Sequence, residues 1–323
     1  MSKPVYPTLK TYLAALGPER DCRWLLRRVR WPKGDCCPRC GDQQVSLLTS
    51  GLNAIARSRT LFRCWACDYH FSVTAGTIFH DTHLEIRAWL LAIYLMESIE
   101  NGARVAQIET YLGVSHETAV NMARRIRELT EQDEAFVQRC VRLPKSYVNA
   151  LDPATPNRNR HPTLHAIVCK FATEERTLEH VARILWPTGP TCPRCQKREV
   201  RKVRTKRPRN RPPYWCLRCE KQFTLTSGNR DLQGIHCLSE WFIALYLMES
   251  TPSGVPPKQL ERLLGINYRT AVSLIEWFRG KEERRKFLFD LYIGSNDPAE
   301  FHKEREAIKK ERRLIQEHKA KPL

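Results

Sequence analysis

The sequence predicts a mainly α-helical chain with small β ribbons, arranged as two tandem copies of one unit. Three observations predict it. "WLLAIYLMES" (Trp89–Ser98) returns as "WFIALYLMES" (Trp241–Ser250), 152 residues later. Two Cys-x-x-Cys pairs precede each phrase, and two helix-like stretches meeting at a glycine follow it. Self-similarity of this kind marks a duplicated structural unit.

Each copy opens on Pro-Thr-Leu and runs through a Trp-Pro pair to Cys-Pro-Arg-Cys. "PTLKTYLAALGPERDCRWLLRRVRWPKGDCCPRC" from Pro7 aligns without gaps on "PTLHAIVCKFATEERTLEHVARILWPTGPTCPRC" from Pro162, which brings Trp31 opposite Trp186. The loop between the two Cys pairs then has 23 residues in the first copy and 20 in the second. Beyond it the copies run in step through Phe71/Phe223, Gly76/Gly228, Trp89/Trp241 and Gly113/Gly265.

The cysteines come next. With no apolar segment of signal-peptide or membrane-spanning length, the chain is expected to be soluble and cytoplasmic, and no membrane partner is expected. In a reducing compartment the 13 cysteines are tested for metal before disulfides. Cys37, Cys40, Cys64 and Cys67 form one set of two pairs, and Cys192, Cys195, Cys216 and Cys219 form another. Two short knuckles aimed at one point supply four soft thiolates in a tetrahedron, which is a closed structural Zn2+ site. A redox dithiol needs no second pair at a fixed distance, and here the paired pairs recur. Two structural zinc ions are therefore expected, one per ribbon, with no position open for catalysis. Cys22, Cys140, Cys169 and Cys237 read as packing residues. Cys36 adjoins Cys37 and could replace it.

After each ribbon the repeated phrase reads as a core helix with its apolar residues crowded on one side. "ARVAQIETYLGVSHETAVNMARRIREL" then reads as helix, turn at Gly113, and a second helix capped by Ser115 with Ala119, Met122 and Ile126 inward. "PPKQLERLLGINYRTAVSLIEWFRG" repeats it, with Gly265 at the turn, Asn267 at the cap, and Ala271, Leu274 and Ile275 inward. Both have the form of a helix-turn-helix, in which outward residues at the start of the second helix meet base edges while nearby cations meet phosphates. The candidate DNA-binding residues are Ser115, His116, Glu117, Asn121, Arg124 and Arg125 in the first copy, and Asn267, Tyr268, Arg269 and Ser273 in the second. The second ribbon loop adds "KREVRKVRTKRPRNRPP", with nine Lys or Arg and one acid. It offers Arg201, Lys202, Arg204, Lys206, Arg207, Arg209 and Arg211 as phosphate contacts. The whole chain agrees in sign: 54 Lys and Arg against 35 Asp and Glu leave a net charge of +19, which favours a polyanionic partner.

The organisation expected is a first unit over 1–133, a linker over 134–161 with three prolines and no clear period, a second unit over 162–283, and a charged helical tail over 284–323.

"RWPKGDCCPRCGD", "CWACDYHFSVTAGTIFHDT", "WLLAIYLM" and "LGVSHETAVNMARRIR", in this order, resemble the N-terminal region of insertion-sequence transposases that join a zinc ribbon to a helix-turn-helix ahead of a DDE-type, RNase H-like catalytic domain. The resemblance covers residues 7 to about 130 closely. From 162 to about 282 it is weaker, with Gln196 in place of the glycine after the first knuckle and "TSGNRDLQG" in place of "TAGTIFHDT". It implies sequence-specific binding of double-stranded DNA by both copies. The family's catalytic domain would place three carboxylates around two metal ions, and no such constellation is visible here. The expectation is a non-enzymatic DNA-binding protein, nucleoid-associated, acting as a transcriptional regulator or mobile-element accessory beside the transcription machinery or a transposase catalytic subunit. Two alternatives stay open: a transposase working with a catalytic domain in trans, and a protein- or RNA-docking ribbon module.

Overall fold

The computed structural model describes residues 6–48, 60–99, 102–142, 162–203, 212–229, 231–251 and 254–294. They fall into two compact units. One takes the chain up to Cys169 together with Val255–Ser273, and the other takes Lys170–Gly254 together with the chain from Leu274. Each combines helices with one small antiparallel sheet.

In the first unit, Thr8 caps α1 (Leu9–Leu16), its Oγ1 accepting from the Thr11 amide at 3.3 Å. α2 (Glu19–Arg30) carries acids in its first turn and arginines in its last, which complements the helix dipole. The ribbon follows, with β1 (Val45–Leu47), β2 (Leu61–Cys64) and β3 (His70–Ser72) paired antiparallel in that order. Its register sets Val45 opposite Cys64 and Phe62 opposite Phe71. Then come α3 (Ile86–Ser98), α4 (Val105–Leu112), α5 (His116–Gln132), α6 (Glu134–Val141) and α7 (Leu164–Lys170).

α3 is the repeated phrase, and it is buried without a break from Trp89 to Leu95. The sequence period predicts a single apolar side. A helix that is apolar all round is a core helix surrounded by others, and here α2, α4, α5 and α6 pack on it. Tyr12 stacks on Tyr94 with centroids 4.3 Å apart and donates its hydroxyl to the Leu90 and Cys140 carbonyls at 2.9 and 3.1 Å. The first turn of α3 is capped from a distance, since the Glu19 carboxylate accepts from the Ile86 and Arg87 amides at 2.9 and 3.1 Å.

α6 corrects the linker reading at its start. Asp133 caps it, accepting from the Phe136 amide at 2.8 Å, and Phe136, Val137, Cys140 and Val141 are buried against the other helices. The rest of that segment, 143–161, lies outside the described residues.

The second unit repeats the plan with α8 (Glu174–Leu185), a sheet of β4 (Val200–Lys202), β5 (Tyr214–Cys216) and β6 (Gln222–Phe223), and α9 (Leu238–Glu249). Glu174 caps α9 as Glu19 caps α3, accepting from the Leu238 and Ser239 amides at 3.1 and 2.9 Å. The chain then forms α10 (Pro257–Leu264), α11 (Tyr268–Phe278), α12 (Glu282–Phe289) and a π-helical turn, Asp290–Gly294. α12 and this turn pack on α9, burying Leu288, Leu291, Tyr292 and Ile293, so the start of the expected solvated tail belongs to the core. Residues 295–323 lie outside the described residues. Among those described, no helix is long and apolar enough to cross a membrane.

Candidate metal centres and nucleic-acid face

Each ribbon brings its four cysteines to one point. In the first, the Cys37 amide donates to the Asp42 carbonyl at 2.8 Å, the Gly41 amide closes back on the Cys37 carbonyl at 2.9 Å, and the Cys64 amide donates to Tyr69 at 3.0 Å. The second repeats these bonds from Cys192 to Lys197, Gln196 to Cys192 and Cys216 to Lys221. In all four knuckles the residue after the second cysteine is left-handed: Gly41, Asp68, Gln196 and Glu220 have φ of 77, 55, 59 and 50°.

The sulfurs of Cys37 and Cys67 lie 3.7 Å apart and those of Cys40 and Cys64 3.6 Å apart. In the second ribbon Cys192 and Cys219 are 3.6 Å apart, and Cys195 and Cys216 are 3.5 Å apart. Within each group all four sulfurs lie within 4.8 Å of one another. A tetrahedron with Zn–S bonds of about 2.3 Å has edges of about 3.8 Å, so the donor sets fit two structural zinc ions. Burial would raise the Cys37 thiol, but hydrogen bonds from the amides of Cys40 and Arg39 and from the Cys40 and Cys67 thiols together outweigh it and hold it near 7. Cys192 sits near 7 for the same reason, with the amides of Cys195 and Arg194 and the thiols of Cys195 and Cys219. Each first knuckle thus presents a thiol close to ionisation at neutral pH. Cys36 is half-buried outside the cluster, so it does not take the place of Cys37.

The Trp-Pro pairs that align in the sequence hold the ribbons in place. Trp31 packs edge-on against Phe62 and Phe71 at 5.5 and 6.0 Å, and Trp186 against Tyr214 and Phe223 at 5.2 and 6.1 Å. The tryptophan fixes the ribbon to the end of the preceding helix. Arg30 adds to it in the first copy, donating to the Val73 and Ala75 carbonyls at 2.7 and 2.6 Å.

The helix pairs meet at left-handed glycines, Gly113 with φ 67° and Gly265 with φ 69°. Ser115 caps α5, its hydroxyl accepting from Thr118 at 3.2 Å, and Asn267 caps α11, accepting from Thr270 at 2.8 Å. Ala119, Met122, Ala123 and Ile126 are buried, while Ser115, His116, Glu117, Asn121 and Arg124 are exposed on the opposite face. The exposed Val120 joins that face unforeseen. His116 pairs with Glu109 at 2.9 Å and Arg124 with Glu128 at 2.7 Å. Arg125 lies apart from this set, half-buried with its guanidinium 5.2 Å over the Trp89 ring. On α11, Asn267, Tyr268, Arg269 and Ser273 are exposed, Ala271 and Ile275 are buried, and Leu274 is half-buried. Arg201 and Lys202 are exposed on β4. Arg204, Lys206, Arg207, Arg209 and Arg211 lie outside the described residues.

A cleft of about 480 Å³ in the first unit is lined by Arg23, His70, His80 and His83 among others. The residues aligned with these four in the second copy are Leu178, Gln222, Leu232 and Ile235, and Leu232 is fully buried. The copies therefore differ chemically beside their ribbons as well as on their exposed helix faces.

Residues 17–70 and 172–222 each match the transposase zinc-ribbon domain family. The chain is also similar to an uncharacterized protein in transposable element ISH50 of Halobacterium salinarum, 26% identical over 142 residues. That match covers 44% of this chain and 45% of the relative, so it spans less than half of either protein. No solved structure matches the chain. Both matched segments run from the helix ahead of the first knuckle to the last strand of the ribbon, and the chain thus carries the transposase zinc-ribbon domain twice in tandem.

Proposed function

We propose that the chain is a sequence-specific binder of double-stranded DNA, non-catalytic in itself, in which two structural zinc ions hold the ribbons and the paired helices read the duplex. The observation that carries this is the face of α5. Its outward residues His116, Glu117, Val120, Asn121 and Arg124 are exposed, while Ala119, Met122, Ala123 and Ile126 on the other side are at most 1% exposed. A helix held that firmly, with hydrogen-bonding groups and one methyl-bearing side chain outward, is suited to a major groove that presents donors, acceptors and the thymine methyl. Charge supports it: at +19 the chain is drawn to phosphate without regard to sequence, and the exposed face adds the discrimination. The four-cysteine sites are filled by protein, so the zinc stabilises and leaves the reading to the helices.

Selection of bound duplexes from a random pool by the zinc-loaded full chain tests this. An enriched motif, lost in a variant with His116, Asn121 and Arg124 replaced by alanine, is expected. Recovery of no motif, or tighter binding of RNA than of duplex DNA, would overturn it.

A second reading follows from the matched family and the relative's origin in a transposable element: the chain works in transposition with a catalytic domain supplied by another polypeptide. The motif discriminates, because enrichment for the ends of a mobile element supports this role and enrichment for promoter sequences supports a regulator.

A further inference from the structure

We infer that the two candidate reading faces are carried on one rigid body, so that the chain recognises two half-sites at a single fixed spacing. This rests on the DNA-binding reading above and adds the geometry of the target to it. The two copies in the sequence suggest two independent readers joined by a connecting segment. The fold is arranged otherwise, because Val255–Ser273, which includes α10, the turn at Gly265 and the exposed Asn267, Tyr268, Arg269 and Ser273, belongs to the same compact unit as α4 and α5.

The attachment is specific. α10 packs against α1 and α3, with Leu260 and Leu263 fully buried and Val255 at 4% exposure. Arg262 Nη1 donates to the Ser98 carbonyl at 3.2 Å, at the end of the same helix α3 on which α5 packs. At Gly265 a Cβ would meet Thr8 Cγ2 at 2.5 Å, and φ of 69° is itself left-handed. The turn between α10 and α11 is thus seated directly on the cap residue of α1. Both pairs are tied to α3, a helix buried without a break from Trp89 to Leu95.

A flexible link would tolerate changes in half-site spacing, because the cost of closing a loop grows only slowly with its length. A rigid body has no such tolerance. About 10–10.5 base pairs make one turn of the duplex, so an insertion of five turns the second half-site to the opposite side of the helix.

The test uses the zinc-loaded full chain and the motif recovered by selection, rebuilt with insertions of two, five and ten base pairs between its halves. The expected result is a two-part motif, with affinity falling at least tenfold on insertion of two or five pairs, to the level of a single half-site, and remaining low at ten. Arg262→Ala, with zinc content and helicity unchanged, is expected to widen the tolerated spacing. Affinity constant within twofold across all spacings would overturn the inference while leaving DNA binding intact. So would a one-part motif insensitive to Tyr268→Ala and Arg269→Ala. Failure to recover any motif would instead remove the DNA-binding reading itself.

Discussion

Gln196 and Gly41 hold the same left-handed position in equivalent knuckles, and only one of them is a glycine. A residue with a Cβ in this region costs about 1–2 kcal/mol. Gln196 recovers a little by donating its side-chain amide to the Pro193 carbonyl at 3.2 Å. Gln196→Gly is therefore expected to stabilise the second ribbon by about 1 kcal/mol, measured as a higher denaturation midpoint with zinc bound. The reverse change, Gly41→Gln, should cost a similar amount in the first. The ligands follow a sharper rule. Cys64→Ser removes one of four thiolates and should lower the bound zinc from two ions to one per chain by metal analysis, because a ribbon this small depends on its metal for folding. Cys36→Ser should retain both. Arg124 and Arg125 are adjacent in sequence and differ in environment. Arg124→Ala should weaken DNA binding and relax base preference at one position with little change in melting, whereas Arg125→Ala should cost about 1 kcal/mol of stability through loss of the contact with Trp89.

At the scale of elements, the knuckles and caps were legible because spacing alone specifies them: two residues between thiols make a turn, and Ser115 or Asn267 ahead of an apolar period makes an N-terminus. α6 was not legible. It has two turns, and the apolar residues of "EAFVQRCV" form a helical face only once α2, α3 and α5 provide something to pack against. The distant caps Glu19 and Glu174 were hidden for the same reason, since each meets its helix from more than sixty residues away. His180 on α8 shows what the second unit does with a titratable group. Its Nε2 donates to the Tyr292 carbonyl at 2.7 Å, and its ring meets Phe171 edge-on at 5.6 Å. Burial, then the nearby Lys170 charge, lowers it from 6.5 to about 4. Between those two values the unfolded chain holds a proton that the folded chain does not, so stability rises with pH across the window and is lost as pH falls from 6.5 towards 4. The protection of the amides in Asp290–Gly294, relative to their intrinsic exchange at each pH, should fall as pH is lowered over that range. His180→Gln, which keeps a donor and removes the titration, should flatten the response.

At the scale of the whole molecule, the duplication explains why the core phrases are alike and the exposed helices are not. α3 and α9 must each fit a surrounding set of helices, and a tightly packed site tolerates few changes of volume. His116, Glu117 and Asn121 on α5 stand where α11 has Tyr268, Arg269 and Ser273, and no packing requirement keeps these exposed positions the same. A symmetric dimer of identical readers selects a palindrome, because the two-fold axis of the protein is imposed on the site. Two different faces on one chain impose no such axis, and the recovered motif should be non-palindromic. Asn favours adenine, Arg favours guanine, and an aliphatic side chain favours the thymine methyl. On the proposed reading, in which α5 contacts one half-site through Val120, Asn121 and Arg124, truncating each should cost discrimination at a separate position, by about 1–3 kcal/mol per well-made contact. Tyr268→Ala should affect the other half alone. Loss of the same base preferences from both sets of variants would mean that one helix reads the whole site, and the second pair would then be a support for α3 and α1 rather than a reader.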